Sequence, residues 1–300
     1  MILIKTWESL HIYYQETENY EFILTNLVSK INEILLKENV ITGFFFIRYW
    51  EKGNHLRIRF QFNEQNVKET WKDLIIKYTS TFLEKNPSSE KVINRENYYK
   101  MQRKENREGK YEQLNNVALW EEYQPETIRF CGIKGIEISE SFFCFSSEQI
   151  MLMFQENKSF KHEGKLLYGI VLTYLKIKNL NNILKRNSMA SLFFEYAENR
   201  RIFLDIPLIT WEIIKQKSVD NSYLYKNTID NFEENIGWKS NFYEIDKEIH
   251  KVLRNINVIC PTPEKLIKLC YSYIHLNNNR LGLDPFLELY ISLILFNLFK

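Results

Sequence analysis

The run Phe44-Phe45-Phe46-Ile47-Arg48-Tyr49-Trp50-Glu51-Lys52-Gly53-Asn54-His55-Leu56-Arg57-Ile58-Arg59-Phe60 constrains the fold more than any other stretch of the chain. Two apolar-rich segments flank a polar, glycine-containing break of four residues, Glu51 to Asn54, which predicts a β-hairpin. With Trp50 opposite His55, Arg48 faces Arg57 and Phe46 faces Arg59. Opposed residues of an antiparallel pair share a face, so this register gathers Arg48, His55, Arg57 and Arg59 on one side. Phe45, Ile47, Tyr49, Leu56, Ile58 and Phe60 then form an apolar face on the other. Like charges directly opposite one another destabilise a strand pair. The basic side is therefore expected either to meet an anion (a carboxylate, a phosphate or an internal Asp or Glu) or to stand as a solvated surface.

A chain of 300 residues buries a sizeable core, as one large domain or two intimately packed ones. The balance of 40 basic and 38 acidic residues excludes a strongly basic nucleic-acid coat, and no direct DNA binding is expected. The cysteines, Cys131, Cys144, Cys260 and Cys270, lack CxxC spacing and read as core residues rather than ligands. No signal peptide precedes the first strand, so a reduced, cytoplasmic location is expected, without a membrane association. The apolar run Phe286 to Phe299 is interrupted by Glu288, Ser292 and Asn297 and predicts a buried helix rather than a membrane span.

The order of patterns predicts a strand over 2–14, a helix over 19–37, the hairpin, and a second helix over 66–83. The stripe of the first helix is read as Phe22, Leu24, Leu27, Ile31 and Ile34. This is an α+β arrangement of ferredoxin-like flavour. Residues 86–109 are polar and read as a loop or insertion, its Arg95, Lys100, Arg103, Lys104 and Arg107 as solvated charge. From Ser139 onward the periodicity is helical, with further helices predicted over 189–202, 209–217, 221–234, 244–255 and 263–275. The expected fold class is α+β: an antiparallel sheet with helices in the N-terminal half, and a mainly helical C-terminal half packed on it. The expected organisation is a single domain over 1–300, with an α+β part at 1–135 and a mainly α part at 136–300.

Two further segments carry chemistry. In Tyr123-Gln124-Pro125-Glu126-Thr127-Ile128-Arg129-Phe130-Cys131-Gly132, Pro125 sets a turn and Gly132 permits close backbone approach after an isolated arginine. In Ser272-Tyr273-Ile274-His275-Leu276-Asn277-Asn278-Asn279-Arg280-Leu281-Gly282, a helix ends in an Asn-rich, glycine-terminated segment. There His275 either serves the chemistry or simply complements the helix dipole. No GxGxxG, P-loop, HExxH or GxSxG is present, and the histidines lack metal-ligand spacing, so no cofactor and no metal are expected. His11, His162 and His250 read as ordinary surface or core residues.

Taken in order, the three segments resemble the thiopeptide-type bacteriocin biosynthesis domain, which also forms the C-terminal glutamate-elimination part of nisin-type lantibiotic dehydratases. The resemblance runs from Trp7 nearly to the end of the chain. It implies a basic cleft for a precursor peptide (leader plus core) and elimination of glutamate from glutamylated Ser or Thr to give dehydroalanine or dehydrobutyrine. It further implies a separate glutamyl-tRNA-dependent glutamylating subunit as partner, since 300 residues leave no room for that domain. By the same resemblance Arg57, Arg59, Arg129 and His275 match the positions tied to elimination, the arginines for carboxylate binding and charge stabilisation, the histidine for proton transfer. Arg48, His55, Asn279 and Arg280 would bind substrate around them, with Arg48, His55 and Arg280 as a positive wall. Two departures stand out: Cys131 replaces the first glycine of the family's usual Gly-Gly, and Phe130 stands where Tyr is common. The alternatives are a pyridine-forming cyclase that joins two dehydroalanines in a formal [4+2] cycloaddition, and a non-catalytic precursor-peptide-binding subunit.

Overall fold

A computed structural model describes residues 6–63, 65–90, 94–104, 111–156, 162–234 and 236–300. The chain divides into two compact units, one of Met1–Pro125 with Phe143–Lys158, the other of Glu126–Phe142 with Ser159–Lys300.

The first unit is built on strands β1 (Thr6–Tyr13), β2 (Ile41–Tyr49), β3 (His55–Phe62) and β4 (Val117–Glu121). They form one antiparallel sheet of order β2-β3-β1-β4. Helix α1 (Tyr20–Ile23) continues through a π-turn at Leu24–Val28 into α2 (Ser29–Lys37), and α3 (Gln65–Lys85) follows the hairpin. This strand-helix-strand-strand-helix-strand order is the ferredoxin-like arrangement. The first helical segment buries Tyr20, Ile23, Leu24, Leu27, Val28, Ile31 and Leu35, an i, i+3, i+4 stripe. Phe22 and Ile34, read as part of that stripe, fall outside it and are exposed. The part of the first predicted strand before Thr6 lies outside the described residues.

The polar stretch after α3 is not the loop expected of it. Helix α4 (Arg95–Lys104) lies within it, started by Asn94, whose side-chain carbonyl accepts the Glu96 amide at 2.8 Å. Tyr98, buried on α4, accepts a hydrogen bond from the Lys52 amide at 3.3 Å and meets the Trp50 ring edge-on. A nearly all-polar decapeptide thus becomes helical because one aromatic anchor docks on the hairpin turn. Arg107 lies outside the described residues.

The hairpin forms, but its register is one residue from the expected one. Tyr49, not Trp50, pairs with His55, so that Arg48 pairs with Leu56, Ile47 with Arg57 and Phe45 with Arg59. The turn therefore runs from Trp50 to Asn54, with Lys52 and Gly53 both at positive φ (60° and 109°). A Cβ on Gly53 would lie 2.7 Å from the carbonyl oxygen of Leu114, so only glycine fits this close crossing. Because the side-chain period of a strand is two, a slip of one carries every residue of β2 to the opposite face. Arg48 accordingly faces the helices, where it lies 3.9 Å from Glu21 and over the Tyr20 ring. Phe44, Phe46, Leu56, Ile58, Phe60, Leu10 and Ile12 fill that same helical face and are buried.

The α5 helix (Ile133–Glu156) belongs to the second unit up to Phe142 and to the first from Phe143. In the first unit its Ser147 hydroxyl accepts the Phe46 amide at 3.2 Å, capping a donor of the sheet-edge strand β2.

The second unit is helical, with α6 (His162–Leu184), α7 (Ala190–Leu204), α8 (Leu208–Glu234), α9 (Ile236–Ile259), α10 (Pro263–Leu281) and α11 (Pro285–Phe299). The helices expected over 209–217 and 221–234 are one continuous helix, α8. Thr262 and Asp284 cap α10 and α11 with their side chains, each followed by a proline in the first turn. The α10 helix runs past His275 through the asparagines to Gly282, whose left-handed φ of 81° ends it. His275 is therefore an interior helical residue and not a C-terminal one. Helix α11 packs against α6, α7 and α8, with Ala197, Trp211, Ile214, Leu289 and Leu293 as one apolar cluster. Among the described residues no helix is long and apolar enough to cross a membrane.

Candidate active site

On the sheet face away from α1 and α3, the observed register lines up Tyr13, His55 and Tyr49; then His11, Arg57 and Ile47; then Ser9, Arg59 and Phe45. Arg57 is held from three sides. Its Nε donates to His55 Nε2 at 3.0 Å, its guanidinium lies 3.5 Å from the Tyr49 ring centroid, and its Nη2 is 3.7 Å from Glu51. Arg59 lies over the rings of Phe45 and Tyr123. The two arginines thus share a face lined with aromatic rings, which desolvate them and fix their planes.

His55 and Arg48 do not join the positive wall expected of them. His55 is fully buried, and burial, with the neighbouring arginines adding to it, lowers its pKa from 6.5 to about 3. It is neutral: Nδ1 donates to the Gly53 carbonyl at 2.8 Å, which leaves Nε2 to accept from Arg57. His11, stacked on His55 and 3.1 Å from the Ser9 hydroxyl, is lowered to about 2 by burial and by the charge of its neighbours. Both folded-state values lie below 6.5, so the unfolded chain takes up protons first as the pH falls. The stability held by these neutral rings is complete above pH 6.5 and is lost as the pH falls from there to about 3 for His55 and about 2 for His11. Urea midpoints measured down that range are expected to fall continuously, and a flat profile would refute the buried, neutral assignment.

In the second unit the turn Glu126–Gly132 presents Arg129, whose Nε donates to Ser272 Oγ on α10 at 3.0 Å and whose Nη1 meets Glu126 at 3.0 Å. Ser272 and His275 lie three apart on α10 and so share a side of that helix. The His275 Nδ1 is 2.8 Å from Glu288 Oε1, while the ring itself is 29% exposed and Glu288 not at all. Glu288 Oε2 in turn accepts the Tyr196 hydroxyl at 2.8 Å and lies 3.7 Å from Arg200. Arg129 and His275 are thus brought to one side of one helix. Asn279 lies one turn beyond His275, half-buried, its carbonyl accepting the Gly282 amide. Arg280 is completely buried and so stands apart from the expected wall. Its charge adds to the burial that pushes the Lys176 ammonium down to about 7.

The partners of these residues escaped the sequence reading. Glu288 carried a signal, a lone carboxylate in an otherwise apolar helix, which a buried environment tolerates only with donors around it. Tyr196, Arg200 and Ser272 carried none. Among the described residues no group of three or more His, Cys, Asp or Glu side chains is placed to hold a metal.

Cys131 takes a left-handed φ of 63°, which explains a glycine at this position in the resembled family. Relief of about 1–2 kcal/mol of left-handed strain, less about 0.4–1 kcal/mol of unfolded-chain entropy, leaves Cys131→Gly stabilising by roughly 0.5–1 kcal/mol. Urea denaturation tests this; a loss of stability would show that the Cys131 side chain contributes more than its backbone costs.

The structure pairs a small α+β sheet unit with a helical one, and comparison with known proteins gives the family. Residues 7–299 match the lantibiotic biosynthesis dehydratase C-terminal family, and the chain belongs to it. It is 23% identical over 278 residues to the nisin biosynthesis protein NisB of Lactococcus lactis subsp. lactis, covering 92% of this chain and 23% of NisB. In fold it resembles the pyridine synthase TbtD from thiomuracin biosynthesis, with a TM-score of 0.71 at 14% identity over 97% of both chains. It also resembles the tRNA-dependent lantibiotic dehydratase MibB from Microbispora sp. 107891, with a TM-score of 0.62 at 14% identity over 98% of this chain and 28% of MibB. The chain therefore spans about a quarter of the length of NisB and of MibB.

Proposed function

We propose that the protein eliminates glutamate from glutamylated Ser or Thr residues of a precursor peptide. The observation that carries this reading is His275, whose Nδ1 is committed to a buried carboxylate while the ring remains half-exposed, one turn from the serine that holds Arg129. Among the described residues Nε2 of His275 makes no hydrogen bond, so it is the nitrogen open to a substrate. In the reaction Nε2 takes the Cα proton, the electron pair passes through an enolate-like state to form the Cα–Cβ double bond, and the Cβ–O bond breaks to release glutamate as a carboxylate. Arg129 stabilises developing negative charge, and Arg57 and Arg59 are assigned to carboxylate recognition, for which a planar guanidinium is suited. The glutamyl ester would come from a separate glutamylating chain that uses glutamyl-tRNA.

The likeness to a pyridine synthase over nearly its whole length favours a second reading, cyclisation of a peptide that already carries dehydroalanines. One pair of assays separates them. Incubation with a glutamylated precursor peptide is expected to release glutamate and leave the dehydro product by mass spectrometry. No mass change there, with ring closure and leader release from a dehydrated peptide, would establish the cyclase instead.

A further inference from the structure

We infer that Glu288 is a positioning residue that fixes His275 in the tautomer carrying its proton on Nδ1; the catalytic consequence rests on the elimination reading above, the tautomer itself does not. Glu288 and His275 face each other because α10 and α11 are joined by only Gly282, Leu283 and Asp284, which folds the two helices back on one another. A carboxylate can only accept, so a contact of 2.8 Å from Oε1 to Nδ1 requires a proton on that nitrogen. Neutral imidazole has one proton, and Nε2 is left as the acceptor.

The carboxylate is itself immobilised. Tyr196 donates to Oε2 at 2.8 Å, and Arg200 lies 3.7 Å from the same oxygen. Burial and the adjacent Glu288 raise the Tyr196 phenol well above its ordinary range, so it stays a donor. The sequence places the four residues on three helices, His275 on α10, Glu288 on α11, and Tyr196 and Arg200 one turn apart on α7. Tyr196 and Arg200 both lie on Oε2, so the buried Oε1 takes its hydrogen bond from His275. The third donor is the partly exposed ring whose other nitrogen is open.

Glu288→Gln discriminates. Nδ1 lies 2.8 Å from Oε1 and 3.1 Å from Oε2. Because Tyr196 and Arg200 both call for an oxygen at the Oε2 position, the amide NH2 takes the nearer, Oε1 position and shifts the histidine proton toward Nε2. Long-range proton–nitrogen spectra of the labelled protein at mildly alkaline pH, with His275 assigned by its loss in His275→Phe, are expected to show the Nδ1–H tautomer in wild type and Nε2–H in Glu288→Gln. With the glutamylated peptide, Glu288→Gln is expected to lose about 10²-fold in kcat with KM little changed. Should Glu288→Gln fail to fold, Tyr196→Phe, which removes one donor at constant shape, is expected to show a mixture of tautomers and a several-fold lower kcat. An Nε2–H tautomer in the wild-type protein, or a folded Glu288→Gln with unchanged tautomer, overturns the inference. A tautomer shift in a protein that releases no glutamate would sustain the inference and reject the elimination reading.

Discussion

On the elimination reading, Arg129→Ala is expected to cut glutamate release by about 10²–10³-fold, while leaving the melting temperature almost unmoved. Both halves of this expectation come from the surroundings of the side chain. Arg129 is 37% exposed, and its carboxylate partner Glu126 is more exposed still. An exposed i, i+3 pair of this kind contributes about 0–1 kcal/mol, and solvent screening keeps it near the lower end. Ser272 does not lose its role when the guanidinium goes, because its hydroxyl also donates to the Lys268 carbonyl at 3.1 Å. No buried partner is left orphaned. The activity is another matter. Removing one preorganised donor from developing negative charge typically costs about 10²–10³-fold in turnover. Initial rates of glutamate release, compared with a thermal melt of the same preparation, decide the point. A melting temperature that falls with the activity would make Arg129 a structural residue and empty the catalytic assignment.

How far the sequence announces this molecule depends on what kind of information each feature requires. The hairpin was legible because alternating apolar residues around a glycine-containing break leave few other options. Its register was not, because the decision rests on Trp50, which leaves the ladder to pack on Tyr98 of a helix 48 residues away. That one-residue difference moves Arg48 to a structural pair with Glu21, while Arg57 and Arg59 stay together. The caps of α10 and α11 were written locally in Thr-Pro and Asp-Pro, whereas helix α4 depends on a docking site that no local pattern contains. The same distinction divides the candidate site. Arg129 and His275 were visible as isolated polar residues in recognisable segments. Their partners Ser272, Glu288 and Tyr196 acquire meaning only when α7, α10 and α11 are packed together.

Arg57→Ala is expected to behave unlike Arg129→Ala, losing turnover by a similar factor and also losing about 1–3 kcal/mol of stability. From charge alone the opposite follows, since deleting one of several neighbouring cations relieves repulsion. The geometry reverses the sign. His55 is fully buried and neutral, its Nδ1 proton already given to Gly53, so its Nε2 depends on Arg57 for a donor. Alanine leaves that acceptor buried and unpaired, the expensive half of a broken hydrogen bond. It also removes the cation from the Tyr49 ring face, a contact worth roughly 0.5–2 kcal/mol depending on desolvation. Lysine restores charge but not the planar Nε–H, so Arg57→Lys should recover little of either property. The double variant Arg57→Ala with His55→Phe removes donor and acceptor together and should regain stability relative to Arg57→Ala while remaining inactive. Urea denaturation of the wild type, Arg57→Ala, His55→Phe and the double variant at pH 7.5, with slopes held equal, measures this coupling directly. If Arg57→Ala is as stable as the wild type, the His55–Arg57 bond is not a support of this sheet face, and the arginine stands there only for its charge.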